Sequence, residues 1–224
     1  MAGDGPSEQF RLRRIDTGRI VLSVREGGAG PLMLFCHGIT ANSAVFPPLM
    51  AGFSDRFTTI AIDQRGHGLS DKPDTGYDAS DYADDIAALI QTLGMGRAIL
   101  VGHSLGARNS ATVAAKYPDL VRSVIAIDFT PYIETEVFDA LEARVNAGSR
   151  PFKDLLAVEE YLSNRYPNIP AAAIKVRARS GYQQTDDGLR PLASASAMAQ
   201  TAIGLRADLV PVYTDVRRPV LLVR

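Results

Sequence analysis

Gly102-His103-Ser104-Leu105-Gly106 is the stretch that decides the fold, and it follows directly on the apolar run Ala98-Ile99-Leu100-Val101. In the pattern G-x-S-x-G the two glycines lack the Cβ atoms that would collide when a strand turns sharply into a helix. The serine hydroxyl is then held above the edge of a sheet. The alanine-rich segment 107–117 that follows is typical of a buried helix. The stretch therefore predicts a strand, a turn and a helix with Ser104 as nucleophile; a glycine-rich turn that merely contains a serine is the alternative.

Composition favours a globular protein that acts on a small molecule. The chain has 224 residues, of which 46% are hydrophobic and 22% charged, which predicts one sizeable core with an inserted subdomain. A formal net charge of -1 argues against nucleic acid and anionic membrane as partners. The single cysteine excludes an intrachain disulfide and a thiolate metal cluster.

Residues 1–10 lack a signal-peptide pattern and no apolar run reaches membrane-spanning length, so we expect a cytoplasmic protein. The sequence leaves the oligomeric state open, a homodimer included.

Strand and helix patterns alternate along residues 1–130, which we assign to an α/β core. Alternation around Asp16-Thr17-Gly18 predicts a hairpin over 11–15 and 19–24. Continuous apolar runs predict buried parallel strands at 31–36, 58–62, 98–101 and 123–127. Helices are predicted at 43–53, from Ser80 as N-cap to the glycine stop at Gly94, and after the Ser104 turn. This rhythm predicts a mostly parallel sheet with helices on both faces.

The rhythm breaks in residues 131–214, which we assign to an inserted helical cap. No convincing apolar strand run occurs between residues 131 and 211, and helical patterns are found at 134–145, 152–165, 171–179 and 193–205. Residues 215–224 are predicted to resume the core, with a strand at 219–223.

The catalytic acid and the oxyanion donors have candidates at strand ends. Asp128 directly follows a predicted strand, at the edge of a parallel sheet where ligands bind; a loop-capping carboxylate is the equally weighted alternative. Asp63 also ends a strand, but the nearby Arg65 favours a structural ion pair for it. For the oxyanion, the backbone N–H of Leu105 lies at a helix start and that of Ile39 in the loop after residues 31–36. An ordinary strand-exit turn is the alternative for Ile39.

The general base that a nucleophilic serine requires is missing from residues 1–224. The chain has three histidines. His103 neighbours the nucleophile, but the sharp turn is predicted to aim its side chain away from the hydroxyl. His37 ends a buried strand and His67 lies in the turn Arg65-Gly66-His67-Gly68, so we interpret all three as structural.

Three motifs in register give the chain a resemblance to a known family. They are His37-Gly38, Asp63-Gln64-Arg65-Gly66-His67-Gly68-Leu69-Ser70-Asp71 and the Ser104 pentapeptide, and together they resemble the α/β-hydrolase superfamily. The resemblance covers residues 20–128 well and 219–224 weakly. It implies the α/β-hydrolase fold with a cap, and a triad in the chain order Ser, Asp or Glu, then His. The catalytic histidine, with the last strand and helix, is accordingly expected beyond Arg224, and the acid is either Asp128 or a later residue.

Within that superfamily the whole chain is similar to cofactor-free amide hydrolases of bacterial vitamin B6 degradation, whose substrate is a small dicarboxylate. This implies attack by Ser104 on an acetamide carbonyl, an acetyl-enzyme, and release of an enamine that breaks down to succinic semialdehyde, ammonia and carbon dioxide. It also favours Asp128 as the acid. Serine at position 104 argues against the dehalogenase and epoxide-hydrolase branches, which use an aspartate nucleophile.

A substrate with two carboxylates needs cationic groups, and the predicted cap is rich in arginine. The candidates are Arg144, Arg150, Arg165, Arg177, Arg179 and Arg190. Arg144 and Arg165 fall near the ends of the first two predicted cap helices, and Tyr166 adds a hydroxyl donor. Because guanidinium binds carboxylate bidentately, we assign substrate binding to Arg144, Arg165 and Tyr166. We expect no metal and no cofactor.

Two other functions stay open on the sequence. A carbon-carbon bond hydrolase or a carboxylesterase would use the same fold and the same Ser104. A small-molecule-binding protein that keeps the fold without a triad is the third hypothesis, and it gains weight if no histidine follows Arg224.

Overall fold

The structure is a computed structural model that describes residues 9–131 and 134–224. Residues 1–8, where the sequence shows no signal-peptide pattern, and residues 132–133 of the predicted cap lie outside the described residues. The strands are β1 Arg11–Asp16, β2 Val21–Gly27, β3 Leu32–Cys36, β4 Thr58–Ile62, β5 Ala98–His103, β6 Val121–Ile127, β7 Tyr182–Thr185, β8 Gly188–Pro191 and β9 Val220–Val223. The helices are α1 Pro47–Ala51, α2 Ala79–Leu93, α3 Leu105–Lys116, α4 Thr135–Gly148, α5 Leu155–Arg165, α6 Ala171–Gly181, α7 Ala195–Gly204 and α8 Val210–Thr214.

One mostly parallel sheet carries the core. Its seven strands run in the order β1-β2-β4-β3-β5-β6-β9. The first three are antiparallel neighbours, which confirms the predicted hairpin, and β4, β3, β5, β6 and β9 pair in parallel. The carboxyl ends of β3, β5 and β6 therefore meet at one edge. The loop that contains Ile39, the Ser104 turn and Asp128 all lie at that edge.

Alternating side chains of the buried strands fill both faces of the sheet. Leu32, Leu34 and Cys36 of β3 join α2 and α3 in one apolar cluster. Met33 and Phe35 point the other way and pack with Phe46 and Met50 near α1. Since strand side chains alternate between faces, a continuous apolar run is what a sheet covered by helices on both sides requires.

Two predicted helix boundaries in the core are wrong, and both differences have local causes. Asp78, not Ser80, is the N-cap of α2, because its carboxylate accepts the N–H groups of Ser80 and Asp81 while Asp81 accepts the Asp78 N–H. The predicted helix at 43–53 is a 3₁₀ turn, Ser43–Val45, followed by the short α1. Its Pro47-Pro48 pair lacks N–H donors, so α-helix begins only at Pro47. Gly94 ends α2 in the left-handed conformation, as predicted.

The cap segment contains the four predicted helices as α4 to α7, with shifted ends. The structure adds a separate two-stranded hairpin, β7 and β8, in this segment, where the sequence shows no convincing apolar strand run. The sequence signal for it was Asp187-Gly188, a turn dipeptide, and Gly188 has φ +126°. The strand predicted at 219–223 is confirmed as β9 beside β6.

Candidate active site

Ser104 sits in a strained turn between β5 and α3. Its φ is +50° and its ψ -114°, a conformation that residues with a Cβ rarely adopt, and its N–H donates to the Ile127 carbonyl at 3.0 Å. Neither glycine of the motif has room for a side chain: a Cβ on Gly102 would overlap the Gly106 backbone, and a Cβ on Gly106 would overlap the Cys36 carbonyl. The predicted strand, turn and helix are thus present, with the strain concentrated on the serine.

A cavity of about 740 Å³ opens between this turn and the cap helices. Ser104, His103, Leu105 and Asp128 line it from the sheet edge. The cap contributes polar and apolar groups to the opposite wall, namely Glu134, Val137, Phe138, Leu141, Arg144, Arg165, Tyr166, Ile169, Arg177 and Leu205. A cavity of this size accommodates a small organic ligand.

The two residues whose backbone amides are predicted to stabilise an oxyanion, Ile39 and Leu105, both line this cavity together with Ser104. Gly38 lets the Ile39 loop approach closely, because a Cβ there would lie 2.8 Å from His103 Nδ1 and 3.4 Å from Ser104 Cβ. Among the described residues, neither amide donates a hydrogen bond to a protein acceptor.

Asp128 follows β6 in the left-handed region, with φ +49°, and its N–H donates to the Val223 carbonyl at 2.9 Å. Its carboxylate lies close enough to His103 to affect the pKa of that ring: burial lowers the pKa, the Asp128 charge opposes this, and the Arg177 charge adds to it. The structure therefore brings Asp128, His103 and Ser104 to one end of the cavity.

His37 and His67 are buried structural residues. Burial lowers the pKa of His37 to about 4, and its Nε2 accepts the Gln64 N–H at 3.0 Å. Burial, with the nearby His37, lowers the pKa of His67 to about 3. The His103 ring, predicted to turn away from the Ser104 hydroxyl, nevertheless lines the same cavity, beside Gly38.

The predicted ion pair between Asp63 and Arg65 is wrong, although both residues are structural. Arg65 instead forms a buried bidentate pair with Asp85, at 2.6 and 2.7 Å. Asp63 accepts the backbone N–H groups of Ser43 at 2.7 Å and Leu69 at 2.9 Å, which fixes the loops on either side of it.

The arginines of the cap divide into cavity-lining and peripheral groups. Arg144, Arg165 and Tyr166, the residues assigned to substrate binding, line the cavity, and Arg177 joins them from α6. Arg150 stacks on Phe152 at 4.9 Å, Arg190 pairs with Asp187, and Arg179 is exposed.

Two further arginines line the cavity: Arg177, which the sequence analysis named as a cap candidate without assigning it to substrate binding, and Arg108, a buried residue of α3 that it did not consider. Arg108 donates to the Ala207 carbonyl at 2.6 Å, which joins α3 to the segment after α7. Its position four residues after Ser104, one helical turn along α3, was a usable signal for a residue near Ser104.

Tyr166 lies between two guanidinium groups. Arg177 Cζ is 4.5 Å from the ring centroid and Arg165 Cζ 5.3 Å, both within cation–π range. Burial raises the pKa of Tyr166, but the charges of Arg177 and Arg165 and a hydrogen bond with Thr40 outweigh it, so the pKa is lowered overall.

Metal-binding clusters and membrane-spanning helices are both absent from the described part of the chain. No group of three or more His, Cys, Asp or Glu side chains in residues 9–131 and 134–224 is arranged to hold a metal ion. In the same ranges, no helix combines the length and apolar character needed to cross a membrane.

The fold and the strained serine turn define the class of protein. Residues 31–166 match the family model described as alpha/beta hydrolase fold, and the chain belongs to that family. More particularly, it is 75% identical over all 224 residues to 2-(acetamidomethylene)succinate hydrolase of Mesorhizobium japonicum, of which it spans 81%. The crystal structure of an E-2-(acetamidomethylene)succinate hydrolase matches with a TM-score of 0.94 and 76% identity, covering 96% of this chain and 80% of that one.

A more distant relative is similar over the core only. Fluoroacetate dehalogenase of a Burkholderia species is 34% identical over 143 residues, which are 61% of this chain and 47% of the dehalogenase.

Proposed function

We propose that this chain carries the nucleophile and the substrate cavity of a serine amidohydrolase that cleaves the acetamide bond of 2-(acetamidomethylene)succinate. The observation that carries the proposal is the strained Ser104, which opens into a cavity with an excess of positive charge. Four guanidinium groups and two carboxylates line that cavity, an excess of two charges that matches a dianionic substrate. The 75% identity to a hydrolase of that name supports the same substrate.

The reaction divides into two acyl transfers. Ser104 Oγ attacks the acetamide carbonyl carbon and gives up its proton to a base, and a tetrahedral oxyanion forms. The N–H groups of Ile39 and Leu105 donate to this oxyanion, with the N-terminus of α3 adding a favourable dipole. The C–N bond then breaks and the nitrogen takes the proton. The enamine departs, and the acetyl group stays bound to Ser104 Oγ as an ester. Water attacks the acetyl ester, acetate departs, and Oγ regains a proton.

The base in this proposal is a histidine from outside residues 1–224. Burial and backbone hydrogen bonds occupy His37 and His67, and His103 adjoins the nucleophile in the chain. The hydrolase from Mesorhizobium is longer than this chain, which spans 81% of it. Asp128 orients that histidine in the proposal; a later carboxylate is the alternative. A coding sequence with no histidine after Arg224 would favour a binding protein instead.

The cap supplies substrate recognition in this scheme. Arg144, Arg165 and Tyr166 bind carboxylate oxygens, and residues 131–214 act as a cap domain over a core formed by residues 1–130 and 215–224. Guanidinium groups suit this task because their planar fork matches a carboxylate in two parallel hydrogen bonds.

The test is a parallel assay of the complete gene product on 2-(acetamidomethylene)succinate, an acetate ester of similar size, and a vinylogous diketone. The proposal predicts turnover of the amide and a loss of about 10⁴-fold or more in Ser104→Ala. Ser110→Ala is the matched control, since Ser110 is buried in the same helix and does not line the cavity. Undiminished activity of Ser104→Ala would refute the nucleophile. Preference for the ester or the diketone would favour the alternative hydrolases, and binding without turnover a binding protein.

A further inference from the structure

Arg177 is a cavity-lining guanidinium without an assigned role. It lies on α6, whose Ile174 and Ala178 are buried in an apolar cluster with Val158 and Leu162 of α5. That packing fixes the helix, and the half-buried Arg177 side chain reaches the cavity that Ser104 opens into. Its charge extends to His103, the neighbour of the nucleophile.

The hydrogen-bond donors of Arg177 are less committed than those of Arg165, and its single bond is longer than that of Arg144. Arg165 Nη1 donates to Tyr161 Oη at 2.7 Å and to the Arg144 carbonyl at 3.0 Å. Arg144 Nε donates to the Ala140 carbonyl at 3.0 Å. Arg177 makes one long bond, from Nη2 to Tyr166 Oη at 3.4 Å, and its Nε and Nη1 have no protein acceptor among the described residues.

No described carboxylate neutralises Arg177 either. It forms no salt bridge with any acidic residue in the described ranges, whereas Arg190 and Arg206 on the cap surface do. A half-buried guanidinium is costly to leave without an anionic partner, and in this cavity a ligand can supply one.

The Tyr166 ring restrains the guanidinium group of Arg177, whose Cζ lies 4.5 Å from the ring centroid. Nε and Nη1 keep all their donors and Nη2 keeps one of its two N–H groups, so one two-donor edge, Nε with Nη2 or Nη1 with Nη2, stays available for a planar anion. Arginine suits such a site because one face can stack while the edge donates two parallel hydrogen bonds to a carboxylate.

We propose that Arg177 binds one of the two substrate carboxylates and thereby selects dicarboxylates over monocarboxylates. This inference rests on the proposed function for the identity of its ligand. It adds to Arg144, Arg165 and Tyr166 a third guanidinium, one that is held against the Tyr166 ring.

The experiment pairs removal of the arginine with removal of each carboxylate. Binding is measured by calorimetry in the Ser104→Ala background of the complete gene product, so that no turnover is required. The ligands are 2-(acetamidomethylene)succinate, 3-acetamido-2-methylacrylate and 4-acetamidobut-3-enoate; each of the last two lacks a different carboxylate. Arg177→Met should weaken dicarboxylate binding roughly 10- to 100-fold and leave one of the monocarboxylates unaffected, because a hydrogen-bonded charge is lost only where its partner is present.

Two further variants serve as controls for the comparison of Arg177→Met across the three ligands. Arg179→Met is the matched control, since Arg179 is exposed on the same helix and does not line the cavity; it should bind all three ligands as the parent does. Arg177→Lys keeps the charge but not the fork, and it should lose several-fold affinity for the dicarboxylate. If Arg177→Met fails to fold, as judged by circular dichroism, Arg177→Lys carries the same comparison across the three ligands.

Equal losses on all three ligands, or no loss on the dicarboxylate, would overturn the assignment. Hydrolysis is measured separately in the protein with Ser104 intact. If Arg177→Met weakens the three ligands unequally but the intact protein does not hydrolyse the dicarboxylate, the proposed function is refuted and Arg177 remains a carboxylate-binding residue. If the intact protein hydrolyses the dicarboxylate but Arg177→Met does not distinguish the ligands, only the role of Arg177 is refuted. Absence of dicarboxylate binding would refute both.

Discussion

Gly106→Ala tests the close packing that holds Ser104 in its strained turn. Alanine is the better helix former by up to about 1 kcal/mol, so on propensity alone the substitution near the start of α3 should stabilise the protein. The structure predicts the opposite sign. A Cβ on Gly106 would lie 2.9 Å from Cys36 Cβ and would overlap the Cys36 carbonyl, which belongs to the central strand β3. Neither group can move without displacing the sheet.

Overpacking in a core costs about 1–3 kcal/mol and sometimes more, and backbone overlap belongs at the upper end of that range. After the helix-propensity gain, we expect a net destabilisation of about 2 kcal/mol or more, or a urea midpoint lower by roughly 1 M. Gly52→Ala is the control, because its nearest contact would be an ordinary 3.5 Å and its φ is -71°. A Gly106→Ala protein as stable as the parent would refute the tight contact between α3 and β3.

Two further predictions concern the buried polar groups beneath the site. His37 and His67 have pKa values near 4 and 3 when folded, below the ordinary 6.5, so the unfolded state binds more protons and stability falls as pH drops from 6.5. Each should contribute about 1.4 kcal/mol per pH unit, and a urea midpoint that stays flat between pH 7 and 5 would contradict this. Asp85→Asn should cost about 3–5 kcal/mol, because the buried Arg65 then keeps only the longer 3.9 Å ion pair with Asp81, whereas Arg206→Ala at the surface should cost much less; comparable costs in urea unfolding would refute the distinction.

Motifs with a local backbone requirement made the core predictable. Gly102 is required within the Ser104 turn itself, because a Cβ there would overlap the Gly106 backbone, and the buried strands are recognisable as continuous apolar runs. The N-cap of α2 was misassigned by two residues, because Asp78 and Ser80 are both good capping residues and their backbone conformations decide between them.

The cap and its charged groups depend on tertiary contacts that no local pattern reports. The hairpin of β7 and β8 is half-exposed and polar, so it lacks the apolar run by which strands were sought. Arg177 is one of several similar arginines in sequence, and only the burial of Ile174 and Ala178 on α6 shows which of them reaches the cavity. The partner of Arg65 likewise lies twenty residues along the chain, at Asp85.

The central claim, that Ser104 is an acylated nucleophile, is tested most directly by trapping the intermediate. The complete gene product is mixed with 2-(acetamidomethylene)succinate, quenched in acid within the first turnovers, and analysed by intact mass and peptide mapping. We predict an adduct of about 42 Da, one acetyl group, on the peptide that contains Ser104, and none in Ser104→Ala. Turnover by Ser104→Ala, or an acetyl group on another residue that disappears at the rate of turnover, would contradict the account.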